Sequence, residues 1–248
     1  MRFCRSCGKE IGAEVRFCPD CGTAVGDFGE KEFGLPSQPA QRVTALSAIR
    51  RGLDIVSGKP VVLVPAVLGA VVSAVLSFWY VPLGWRYWSY DPEVLGLMAF
   101  GGLLSLIGGI VGFVMNFASL DMSRNAYLGR DLDVSKSVNY VLRRLFTFIV
   151  ASIVGALLSV TLVLFPVAIL MFVIIVVDET GISAAVSRAL RVLGDRLGDV
   201  LVLLVIAIVG NIVIGVVPVV GPLLSAAFSV LVGLAFIDIY HSYKGGIG

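Results

Sequence analysis

The sequence predicts an all-α polytopic membrane protein, with six transmembrane helices plus interfacial amphipathic helices, behind a small cysteine-bearing head at the N-terminus. Three observations predict this class. Of the 248 residues, 58% are hydrophobic and 15% charged, against about 45–50% apolar and about 25% charged in an ordinary soluble domain; the mean hydropathy is +0.96. Charge is uneven along the chain: residues 1–59 carry 16 charged side chains and residues 60–248 only 20. All four cysteines fall within the first 21 residues.

The head comes first. Cys4, Cys7, Cys18 and Cys21 read C-x2-C-x10-C-x2-C. Each pair can set two thiolates on one tight turn, and the spacer is long enough for a hairpin that brings the turns together around one tetrahedral ion. Phe3 and Phe17 precede the pairs and Gly8 and Gly22 follow them, so F-C-x-x-C-G occurs twice. The expected ion is zinc; an iron site of the rubredoxin kind would use the same four ligands. Four thiolates leave no open position, which suits a structural rather than a catalytic metal. Two disulfides are the competing use of the four cysteines, and the knuckle spacing and a reducing compartment argue against them. So short a segment buries too little apolar surface to fold alone, so the metal would supply its folding free energy.

This pattern resembles the short zinc ribbons at the N-termini of many bacterial and archaeal membrane proteins. The resemblance implies that Cys4, Cys7, Cys18 and Cys21 are the ligands, with Gly8, Pro19 and Gly22 as knuckle residues. It also implies a role in protein interaction or regulation rather than catalysis. The ribbon is expected over residues 1–25. Residues 26–41 (GDFGEKEFGLPSQPAQ) mix Gly, Pro, Ser, Gln and charges without period, as a flexible linker does.

The membrane domain is expected over 42–248. It opens with an amphipathic helix, Val43, Leu46, Ile49, Leu53 and Val56 on one face and Arg42, Arg50, Arg51 and Asp54 between them, suited to a membrane surface. Apolar stretches come next at 60–83, 94–120, 145–177 and 200–237. About 20 residues cross a bilayer, so the first two are single spans. The longer two each divide at prolines, Pro166 in one, Pro218 and Pro222 in the other. The expected spans are about 60–82, 94–120, 143–164, 166–180, 198–217 and 219–240.

With six spans, 18 of the 19 Lys and Arg fall on one side and only Arg86 on the other. The positive-inside rule then puts both termini and the ribbon in the cytoplasm, and the protein in the cytoplasmic (inner) membrane. No basic-then-apolar run precedes a small-residue cleavage site, so no cleaved signal peptide is expected. Trp79, Tyr80, Trp85, Tyr87, Trp88 and Tyr90 supply an aromatic belt in the outer loop.

Three segments share one order: amphipathic basic helix, span, turn, span, aspartate. The helices are Val43 to Val56, Val134 to Leu145 and Ile182 to Leu197. The closing aspartates Asp121, Asp178 and Asp238 lie 57 and 60 residues apart, as in a threefold repeat. A carboxylate at a helix C-terminus meets the negative end of the dipole. Arg50, Arg51, Arg143, Arg144, Arg188 and Arg191 are therefore expected as partners, the simpler alternative being that each aspartate only marks the water boundary.

Within the spans, small residues recur every fourth position: Gly69, Ser73, Ser77; Gly108, Gly112; Ala151, Gly155, Ser159; Ser225, Ser229, Gly233. Such seams pack helices in lipid. The intramembrane polar groups are Asn116 and Asn211, expected to bond across helices. The join of Asp178, Glu179, Thr180 and Gly181 to Ala185, Arg188, Ala189 and Leu190 resembles the membrane domain attached to some glycerophosphodiester phosphodiesterases. No catalytic residues come with that resemblance.

Net charge is +2, too balanced for the basic footprint of nucleic-acid binding. No catalytic constellation is found, and His241 reads as a solvated tail residue, so the chain is expected not to be an enzyme. The sequence favours a membrane-lipid-embedded protein whose cytosolic ribbon docks a protein partner or regulates the body. The alternative is a transporter or channel, for which the lack of deep charged residues points to a lipid-like or apolar substrate.

Overall fold

The protein is described from a computed structural model over residues 2–3, 10–11, 43–78, 92–161, 164–217 and 220–245. It divides into two compact units, residues 1–41 and 42–248. In the first, strands β1 (Arg2–Phe3) and β2 (Glu10–Ile11) pair antiparallel, Arg2 opposite Ile11 and Phe3 opposite Glu10. The four cysteines, the expected linker and the aromatic outer loop lie outside the described residues.

The second unit is helical throughout its described residues. Helix α1 (Ala45–Gly58) starts at a reciprocal cap: Thr44 Oγ1 accepts from the Ser47 amide, and Ser47 Oγ accepts from the Thr44 amide at 2.9 Å. Pro60 lacks the amide that would continue the helix, and a 3-10 turn, Pro60–Leu63, leads into α2 (Val64–Phe78). The axis bends by 104° between α1 and the segment Pro60–Leu76. Then come α3 (Pro92–Tyr127), α4 (Val134–Arg143) and α5 (Leu145–Ser159), with 75° between α4 and α5. Asp133 caps α4, its carboxylate accepting from the Ser135 and Lys136 amides. Helix α6 (Phe165–Asp178) carries Pro166 in its first turn, where no amide is needed. It bends by 120° into α7 (Ile182–Asp195). Helices α8 (Leu197–Gly215) and α9 (Gly221–Gly245) complete the unit.

Among the described residues three helical segments are long and apolar enough to cross a membrane by themselves: Ala99–Tyr127, Leu197–Gly215 and Gly221–Gly245. Three bent pairs pass the same test only when taken together, for up to six crossings. This is the make-up of a multi-pass membrane protein. Helix α3 runs to Tyr127, past the expected span end near 120, and α9 runs to Gly245, past 240. The polar ends stay helical because their side chains pack: Met122 and Ala126 in α3, and Ile239 and Tyr240 in α9, are buried. Asp121 and Asp238 are therefore inside their helices, and only Asp178 stands at a helix C-terminus.

Helices α5 and α6 are 15 and 14 residues long, roughly 22 and 21 Å at 1.5 Å per residue, short of the about 30 Å hydrocarbon layer. The core gathers on α6, whose Leu170, Met171, Ile174, Ile175 and Val176 are fully buried. Helices α2 and α3 meet along small residues. A Cβ on Gly69 would lie 2.6 Å from Met115 Cβ, and Ser73 Oγ donates to the Gly108 carbonyl at 2.8 Å.

Candidate functional site

Two features of the helical unit carry polar chemistry. The first is a linked set of ion pairs around the three aspartates. Asp238, whose side chain is 4% exposed, accepts from Arg51 of α1 at 3.0 Å and from the Tyr127 hydroxyl at 2.8 Å. Asp178 pairs with Arg188 of α7, with Lys244 at 3.0 Å, and accepts from the Tyr240 hydroxyl at 2.5 Å. Asp121 accepts from Ser137 of α4 at 2.7 Å and from Asn125 at 3.1 Å, and lies 3.7 Å from Arg124.

The expected partners are thus met at Arg51 and Arg188. Among the described residues none of the aspartates pairs with Arg50, Arg143, Arg144 or Arg191. Asp121 departs from the expectation because the seventh residue of α4 is Tyr140, where α1 has Arg51 and α7 has Arg188. Its cation comes instead from Arg124 on its own helix, three residues on. Arg124 also bonds Glu179 at 2.8 Å, and Arg144 donates to the Glu179 carbonyl at 2.9 Å. These two contacts hold Glu179 at φ 54°, a left-handed conformation usually left to glycine. His241 is half-buried and stacked on Tyr127 with ring centroids 4.9 Å apart, not a solvated tail residue.

Arg124 was within reach of sequence reasoning, since residues three apart share a helix face. Tyr127, Tyr240, Lys244 and Ser137 were not, because their contacts join residues 16 to 111 positions apart.

The second feature is a cavity of about 810 Å³ between α3, α5, α6, α8 and α9. Its walls are aromatic and aliphatic, with Phe113, Phe117, Phe165, Phe172 and Phe236 among them, and it contains both Asn116 and Asn211. The phenylalanines hold one another: Phe117 lies 5.0 Å from Phe113 and 5.5 Å from Phe172, centroid to centroid. Among the described residues no Asp, Glu, Lys, Arg or His lines the cavity. Exposed Ile208 and Ile212 of α8 stand on its wall, so it opens sideways from the bundle. A second cavity of about 230 Å³, between α2, α3 and α9, shares Gly112, Asn116, Leu120, Ser229 and Gly233 with it.

The two asparagines differ. Asn211 donates to the Ala207 carbonyl at 2.9 Å and accepts from Ser225 of α9 at 3.0 Å, bonding across helices as expected. The Asn116 side chain has no hydrogen-bond partner among the described residues and is exposed into the space the two cavities share.

Residues 3–25 match the family model of the zinc-ribbon domain. That stretch contains Cys4, Cys7, Cys18 and Cys21, the donor set for a tetrahedral zinc ion. No curated protein matches the chain, and neither does any solved structure.

Proposed function

We propose that this chain is a six-span protein of the cytoplasmic membrane that takes a lipid-like, apolar molecule laterally into its helical body, with both termini and the zinc ribbon in the cytosol. The observation that carries the proposal is the cavity of about 810 Å³ containing Asn116 and Asn211. Its volume lies within the about 300–1,000 Å³ of sites that hold small molecules. Its lining has the apolar character of such sites, with a few polar groups, and it faces the side where lipid would be. The 18-to-1 division of Lys and Arg supports the orientation.

The body is read as three copies of a short interfacial helix and a membrane hairpin: α1–α3, α4–α6 and α7–α9. Two sets of facts support this. The fourth residues of the short helices, Ala48, Ser137 and Ala185, are all buried, as are the eighth, Gly52, Val141 and Ala189. Each aspartate contacts the short helix of the next copy: Asp121 with Ser137, Asp178 with Arg188, and Asp238 with Arg51 of the first.

A filled cavity tests the proposal. Gly109 lines the space and a Cβ there would touch nothing within 4 Å, so Gly109→Trp occupies it without a clash at the backbone. Native mass spectrometry of the wild type should show a retained lipid-mass adduct that the variant lacks. Equal retention by both proteins would refute the proposal.

The family match at residues 3–25 favours a further element, the ribbon as the cytosolic surface where a partner protein docks. Cys18→Ser should lose the bound zinc and, in crosslinking from intact membranes, the partner set. Unchanged partners despite metal loss would rule docking out.

A further inference from the structure

We infer that the occupant of the large cavity is an uncharged long-chain amphiphile whose hydroxyl or carbonyl head is hydrogen-bonded by Asn116, with Ser229 beside it. This rests on the cavity being a lipid-accessible site, as proposed above, and specifies its ligand.

Three observations lead there. The Asn116 amide has two donors and an acceptor, has no partner among the described residues, and is exposed to the cavity. A ligand with a small polar head supplies the missing partner. Asn116 lies five residues before Asp121 on α3, so it stands roughly 7.5 Å along the helix from the ion-pair network.

Charge decides the class of head. Among the described residues the lining holds five phenylalanines and no ionisable side chain, so a phosphate or carboxylate drawn to Asn116 would lack a counter-ion there. The nearest charges along α3, Asp121 and Arg124, are already engaged with each other and with Ser137 and Glu179. A hydroxyl or carbonyl needs no counter-ion. Ser229 Oγ donates to the Ser225 carbonyl at 2.8 Å, which leaves its lone pairs to accept from a hydroxyl head.

Geometry then orients the chain. Phe236 lies two residues from Asp238, whereas Phe165 opens α6 at the far end from Asp178, 13 residues away. The cavity therefore runs along the bundle, with Asn116, Phe117 and Phe236 toward the aspartate end and Phe113, Phe172 and Phe165 leading away from it.

The test uses the full chain in phosphatidylcholine nanodiscs and two photoreactive probes of one chain length, a diazirine-bearing hexadecanol and its phosphate monoester, with adducts mapped by mass spectrometry. The alcohol should label peptides bearing Phe172 and Asn211, and the phosphate ester should not. Asn116→Leu should weaken alcohol labelling about five-fold, the loss of one neutral hydrogen bond, and Asn116→Gln should retain most of it. Ser229→Ala gives a milder variant whose labelling should fall about two-fold, so a misfolded Asn116→Leu does not stall the test. Labelling by the phosphate ester as strong as by the alcohol overturns the inference, and so does alcohol labelling unchanged in both Asn116→Leu and Ser229→Ala. In those cases the cavity is still a lipid site; if neither probe labels any lining residue, the cavity proposal itself fails as well.

Discussion

The three aspartates show how unequal similar residues become once their partners are counted. Asp178 has two cations and a tyrosine hydroxyl, while Asp238 has one cation and one hydroxyl. Both carboxylates are nearly shielded from solvent, 6% and 4% exposed, and their cations are much more exposed. Removing a cation therefore acts mainly through the charge left behind. Arg51→Gln leaves Asp238 with Tyr127 alone among the described residues and should destabilise the protein by about 2 kcal/mol. Arg188→Gln leaves Asp178 with Lys244 and Tyr240 and should cost less than about 1 kcal/mol. Thermal unfolding in detergent compares the two, and equal losses would show that partner number does not set the stability of these sites. The cysteines, Asp178 and Arg188 could be singled out from the sequence because their role follows from local spacing. Tyr127, Tyr240 and Lys244 could not, because a hydroxyl or ammonium across the bundle has no local signature.

At the scale of elements, the helices are set by local signals and their packing by side-chain size. Thr44 and Ser47, Asp133, Pro60 and Pro166 mark helix starts and breaks close to where the pattern places them. The helix ends were less readable. Helices α3 and α9 continue through polar residues because the outer faces of those turns are covered by other helices, and hydropathy responds to side-chain chemistry rather than to cover. The seam of α2 with α3 makes a sharp prediction. Gly69→Ala places a Cβ 2.6 Å from Met115 Cβ, which can yield only if the helices separate, at about 1–3 kcal/mol. Gly194→Ala meets nothing within 4 Å and should be neutral or stabilising by up to about 1 kcal/mol, since alanine favours helix. Denaturant titrations of both variants check the contrast, and an unaffected Gly69→Ala would mean that α2 and α3 are not in close contact.

For the whole molecule, the question is how the helices lie across the bilayer. Six crossings put Arg86 alone on the outer side and the clusters around Arg130, Arg143 and Arg188 on the inner side. In intact cells a membrane-impermeant maleimide should label Arg86→Cys directly, and Arg130→Cys only after permeabilisation. Labelling of both from outside would place the two positions on one side and remove the crossing by α3 between them. Helix α6 is sheltered by its neighbours, whereas α5 exposes Phe146, Ile153 and Leu157, so six crossings require the membrane to thin beside α5. Membrane character, the zinc-ribbon head and the three aspartates could all be read from the sequence by itself, because each comes from composition or from spacing along the chain. Tertiary structure alone decided which cation each aspartate meets, that Asn211 is bonded while Asn116 has no partner among the described residues, and that both line one cavity. Those outcomes depend on which faces of distant helices come together, and a hydrogen bond or a void between helices is a property of that meeting rather than of either stretch of sequence.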